Sequence, residues 1–136
     1  VNLSSLNQEQ DMLLKKIPIL FCLIFLVACS NLAPSATPTL TPLETQGRIV
    51  FESYCSRCHA SSGVSIIVGP SLAGIATRGS QRIDGMDAAA YIRNSIEDPT
   101  AYTVPGFPQG VMPADLKDQL SSEDLDAVTA YLLRLK

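Results

Sequence analysis

The five residues Cys55-Ser56-Arg57-Cys58-His59 constrain this chain more than any other stretch. Two thiols three positions apart fall on one face of a helical turn, close enough to bond the two vinyl groups along one edge of a haem. His59 follows at once and is the chain's only histidine. Its imidazole can turn beneath the porphyrin and give a ring nitrogen to the iron. The spacing therefore reads as covalent haem attachment through Cys55 and Cys58, with His59 as a metal ligand. Two other chemistries also use paired cysteines. A dithiol redox pair needs a strand followed by a helix, and no alternating apolar strand precedes Cys55. A zinc site closes with four ligands, and only carboxylates remain to complete one here.

The remaining composition sets limits rather than directions. A length of 136 residues with a net charge of −3 allows one modest domain plus extensions. Without a basic excess or any tryptophan, nothing suggests nucleic-acid binding. A small helical domain gains apolar surface from a buried haem, which eases the problem of building a core at this size. The other two cysteines, Cys22 and Cys29, lie in an apolar N-terminal run, so the four do not form a disulfide framework.

That run has the order of a secretory leader. Residues 1–11 carry no usable pattern, and Met12 is taken as the biological start. Lys15 and Lys16 supply the positive region, and Ile17 to Ala28 is apolar but shorter than the ~20 residues that span a bilayer. It ends Leu26-Val27-Ala28-Cys29-Ser30, which resembles a bacterial lipobox. The resemblance implies a signal peptide over 1–29, a lipidated Cys29, and a domain held at the outer, periplasmic face of the cytoplasmic membrane. An uncleaved N-terminal helix with Cys29 as a buried thiol is the alternative, and it too leaves the domain outside. Residues 30–44 turn to proline, threonine and serine, with Pro34, Pro38 and Pro42 four apart. Such a stretch reads as a tether, reaching at most ~45 Å from Ser30 to Leu43 at ~3.1 Å per residue.

The domain proper is expected over 45–136. A first helix is predicted from Glu44 to about Arg57, with Gly47, Ile49, Val50, Phe51 and Tyr54 as its apolar stripe. A second spans Asp87 to Glu97, capped by Asp87 and stopped by Pro99. Ser121-Ser122-Glu123-Asp124 opens a third, with Leu125, Val128, Tyr131, Leu132 and Leu135 at helical spacing. Between the first two, Val64-Ser65-Ile66-Ile67-Val68 is short enough for a strand but reads better as cover for a haem edge. Between the last two, Asp98 to Pro113 is a long loop rich in proline and glycine. Loops of that length in small domains are functional or disordered, and its hydrophobic residues favour function. It is read as the far wall of a haem pocket, with Tyr102 packing on the cofactor and Met112 presented to the iron. Met86 is the competing methionine.

Gly47-x-x-x-Phe51-x-x-x-Cys55-x-x-Cys58-His59 resembles the opening of a class I cytochrome c. The resemblance implies an all-α fold of three main helices around one covalent haem c. It also implies that Gly47 allows close contact between the first and last helices, with Val128 and Tyr131 near Gly47 and Phe51. Gly69-Pro70-Ser71-Leu72-Ala73-Gly74 is similar to that family's Gly-Pro-x-Leu-x-Gly segment, which assigns Pro70 to the ligating histidine's N–H and Leu72 to haem packing. Arg78 stands where the family places an arginine that binds a haem propionate. Met112-Pro113 resembles its Met-Pro ligand site. With both axial positions filled, thioether ligation raises the potential and keeps substrates from the metal, so no catalysis is expected from this chain alone.

A narrower likeness runs from Tyr91-Ile-Arg-x-Ser-Ile-x-x-Pro99 through Val104-Pro-Gly-Phe-x-x-Gly-Val-Met-Pro113. It resembles the c domain of caa3-type oxidase subunit II and the monohaem c subunit of alternative complex III. The chain has no copper-binding domain ahead of the haem, so the oxidase subunit itself is not expected. The resemblance implies redox partners: haem or iron–sulfur subunits upstream, and a terminal oxidase or soluble carrier downstream. The runner-up is a stand-alone tethered shuttle. A five-coordinate haem sensor or peroxidase-like protein is the reading from another class.

Overall fold

The computed structural model describes residues 39–136. The leader, Cys29 and residues 30–38 of the tether lie outside the described residues. Thr41 starts the first helix, α1 (Pro42–Val50). Its hydroxyl accepts the Glu44 N–H at 3.2 Å, and the Glu44 carboxylate accepts the Thr41 N–H at 2.7 Å. Two otherwise orphaned donors are satisfied by this exchange. Helix therefore begins two residues ahead of the expected Glu44, because Pro42 in a first turn forfeits no hydrogen bond.

The helix does not continue regularly to Arg57. Phe51–Cys55 is a π-helical turn, in which the Ser56 N–H bonds the Phe51 carbonyl at 2.9 Å. Serine hydroxyls occupy carbonyls along this stretch, Ser53 on Ile49 at 2.9 Å and Ser56 on Glu52 at 2.7 Å. Such back-bonding loosens the regular ladder, and π turns recur at functional sites. This one delivers both cysteines.

Short helices follow: α2 (Ile75–Arg78), continued by a 3₁₀ turn at Gly79–Gln81, then α3 (Ala88–Glu97) and the single turn α4 (Leu116–Gln119). The Asp87 carboxylate caps α3 by accepting the Ala90 N–H at 2.8 Å. The last helix, α5 (Ser122–Leu132), opens with a second reciprocal cap between Ser121 and Asp124. The result is an all-α domain with α1, α3 and α5 as its principal helices.

The crossing of α1 and α5 is set by Gly47. A Cβ there would overlap the Ala127 carbonyl oxygen and lie 2.8 Å from the Tyr131 Cβ. Only glycine lets the two backbones approach this closely. Beside it the Phe51 and Tyr131 rings meet at 5.6 Å between centroids. Val50, Ile75, Tyr91, Ile92, Ile96, Leu116, Leu125, Val128 and Leu132 extend the buried core, each apolar side chain contributing about 1.5–3 kcal/mol by leaving water. Residues 64–68 form no strand. Ile66 makes one isolated antiparallel bridge with His59. Val64, Ile66, Ile67 and Val68 are all exposed, and of these four only Val68 lines the cleft described below.

Candidate haem site

One cleft gathers Cys55, Cys58, His59, Pro70, Leu72, Arg78, Tyr102 and Met112. Backbone bonds fold the cysteine motif onto the segment after it. The Cys55 carbonyl accepts the N–H groups of Cys58 at 3.0 Å and His59 at 2.9 Å. The Cys58 carbonyl in turn accepts those of Val68 at 3.2 Å and Gly69 at 2.9 Å, and Leu72 bonds to Ala60 at 2.8 Å. Gly69 is thereby pressed against the imidazole. A Cβ at this position would lie 2.9 Å from Nδ1 and 3.0 Å from Nε2 of His59, so no larger residue fits.

Nδ1 of His59 is 2.8 Å from the Pro70 carbonyl oxygen. A carbonyl can only accept, so Nδ1 donates, and in the neutral imidazole Nε2 carries the free lone pair. A hydrogen bond of this kind fixes ring orientation and raises the basicity of the remaining nitrogen. Burial, together with the neighbouring Cys58, pushes the Cys55 thiol up to about 11. Dithiol redox couples depend on a lowered thiol pKa, so Cys55 is poorly suited to one. Among the described residues, no three His, Cys, Asp or Glu side chains converge as a metal site would require.

Further lining comes from α3 and the loop after it. Tyr91 and Tyr102 meet edge to face, 5.9 Å between centroids at 76°. Ile92, Ile96, Val104, Phe107 and Met112 extend an apolar lining. Met112 is half-buried and lines the same cleft as His59. Met86 packs against the core but is not part of the lining. Arg78 turns two of its donors onto backbone, the carbonyls of Ala73 and Ser71, the latter at 2.8 Å. Arg82 also lines the cleft. Sequence reasoning passed over it, since no motif marks it and only the fold brings it inward. Two thiols, an imidazole with a free nitrogen and an apolar slot are the donor set and shape that a covalently attached haem requires.

A family model for cytochrome c matches residues 45–136. The chain belongs to the cytochrome c family. A search of curated proteins gave no match. This class I cytochrome c holds covalent haem c in the CxxCH region containing Cys55 and Cys58, and its chemistry is haem-mediated electron transfer with redox partner proteins. The haem supplies an iron that alternates between two oxidation states. The cytochrome's own residues supply the cleft, the orientation of the imidazole and the exclusion of water.

Proposed function

We propose that this cytochrome is a membrane-tethered one-electron relay whose iron is held between His59 and Met112. It serves as a subunit of a quinol-oxidising assembly resembling alternative complex III, receiving electrons from a haem or iron–sulfur centre and delivering them to an oxidase or soluble carrier. The observation that carries the axial assignment is the shared cleft: Met112 lines it with His59, and Met86 does not. A filled sixth position favours relay over gas binding or peroxidase chemistry. The anchor rests on the order of Lys15, the apolar run and Cys29, and the assembly rests on the Tyr91–Pro113 likeness.

Replacing Met112 with Ala tests the relay. The haem stays attached, carbon monoxide binds the reduced variant, and the ferrous-to-ferric ratio at fixed poise falls at least tenfold, or ~59 mV for one electron. If reduced wild type binds carbon monoxide equally well, Met112 is not the ligand and the five-coordinate reading takes over. For the anchor, Cys29→Ala is expected to release the protein from membranes. Gentle purification of the native protein then separates the assembly, which brings other redox subunits with it, from a stand-alone shuttle.

A further inference from the structure

The chain carries more acidic than basic side chains, yet no aspartate or glutamate of the described residues lines the haem cleft, while three arginines do: Arg57, Arg78 and Arg82. Such a cleft is built for an anionic ligand group. The three cations are not equivalent. Arg57 is exposed, where water screens its charge. Arg78 is turned onto the carbonyls of Ser71 and Ala73. Arg82 is half-buried, and its Nε is a buried donor without a hydrogen-bond partner. An unsatisfied buried donor is costly, and more so when charged, so its persistence calls for a partner in the complete protein. No carboxylate of the described residues forms a salt bridge with it.

Arg82 is also held in place. Its backbone N–H closes the 3₁₀ turn on Gly79 at 3.3 Å. Gly79 is packed so closely on Ala88 and Tyr91 that a Cβ would lie 3.2–3.3 Å from both. The side chain therefore enters the cleft from a rigid corner between α2 and α3. We propose that Arg82, rather than Arg78, is the principal charge partner of the haem carboxylates, its guanidinium pairing with one propionate while Arg78 braces the loop around Ser71. The inference rests on the haem c assignment and not on the choice of Met112 or of a physiological partner.

The test uses the haem-loaded protein and its midpoint potential between pH 5 and 9. The other ionisable groups of the described residues facing this space are Arg57, Arg78, His59, Tyr54, Tyr91, Tyr102 and the thiols of Cys55 and Cys58, which thioether formation removes from titration; none is a carboxylic acid. In Arg82→Gln the propionate loses its cation and its pKa rises. At low pH it binds a proton, and the potential stays near that of wild type. At higher pH its uncompensated negative charge favours ferric iron. The ferrous-to-ferric ratio then falls about threefold, or ~28 mV at ~59 mV per decade, with the step centred on the new propionate pKa. Arg82→Lys restores the wild-type profile, which a purely structural role would not predict. An Arg82→Gln profile parallel to wild type overturns the proposal, as does a step that appears in Arg78→Gln instead. If the glutamine variant does not fold, carbon-13 labelled propionates in wild type decide. One titrating below the ordinary carboxylic range supports the pairing, and two titrating within it overturn it.

Discussion

Residues 55–72, on the histidine side of the cleft, are stitched by backbone hydrogen bonds between Cys55, Cys58, Ala60, Gly69 and Leu72. The His59 ring is clamped between Gly69 and the Pro70 carbonyl. Residues 98–113, on the methionine side, are joined differently. A turn at Asp98 binds Thr100 and Ala101, Phe107 bonds back to Val104 at 3.1 Å, and the rest rests on packing such as Tyr102 against Tyr91. Backbone networks resist local opening, whereas walls held by side-chain packing open with less free energy. The histidine side is thus pre-organised by the chain, whereas the 98–113 side has fewer backbone bonds of its own to hold it.

Removing the cofactor is expected to have the largest effect. Cys55→Ser combined with Cys58→Ser prevents thioether formation and leaves the apolar slot facing water. The single cooperative thermal transition should be lost, with residual helix confined to α1 and α5 and no amide protection across 98–113. Circular dichroism and hydrogen exchange measure both. If 98–113 remains protected without haem, the contrast between the two walls is wrong.

Gly47→Ala attacks the other region where backbones touch. The added methyl collides with the Ala127 carbonyl and Tyr131, and overpacking of this kind costs about 3 kcal/mol. For a domain of this size that lowers Tm by roughly 12–24 °C. The haem-loaded protein should melt early but keep its spectrum, because Gly47, Ala127 and Tyr131 do not line the haem cleft. A spectrum that loses the signature of the native axial ligands at low temperature would mean that the helix pair and the methionine wall are coupled.

Much of this arrangement was legible in the sequence because covalent and capping chemistry is local. Cys55, Cys58 and His59 declare a haem by spacing alone, and Asp87 and Ser121 mark helix starts by residue type. Gly47 was legible only through the family resemblance, since a glycine in a helix says nothing by itself about what crosses it. The π turn at Phe51–Cys55 was not legible, because its serines are equally compatible with a regular helix. Arg82 escaped for a different reason: its orphaned Nε is a property of the packed chain, and exposed arginines look the same in sequence. The apolar run at 64–68 pointed to burial, yet a single bridge to His59 leaves all four of its apolar side chains exposed.

The smallest effects should appear in acid and should again separate the two regions. Glu44 and Asp124 complete the caps of α1 and α5, and Asp98 holds the turn at the start of the methionine wall. Bonds from the Thr41 backbone N–H, the Ser121 hydroxyl and the Thr100 hydroxyl hold these three carboxyls below their ordinary values. A lowered folded-state pKa means that the unfolded chain binds more protons as pH falls through the carboxylate range. The stabilisation is therefore full above about pH 4.5 and is lost below it. Asp98 is exposed and Glu44 and Asp124 are half-buried at the surface, where water still screens their charge, so the changes are small. Glu44→Gln with Asp124→Asn should flatten the acid limb of global stability, read as Tm between pH 6 and 3. Asp98→Asn should leave that limb unchanged and flatten only the pH dependence of amide exchange in 98–113. If Asp98→Asn alters the global limb as much as the paired cap variant does, the methionine wall opens with the whole domain rather than ahead of it.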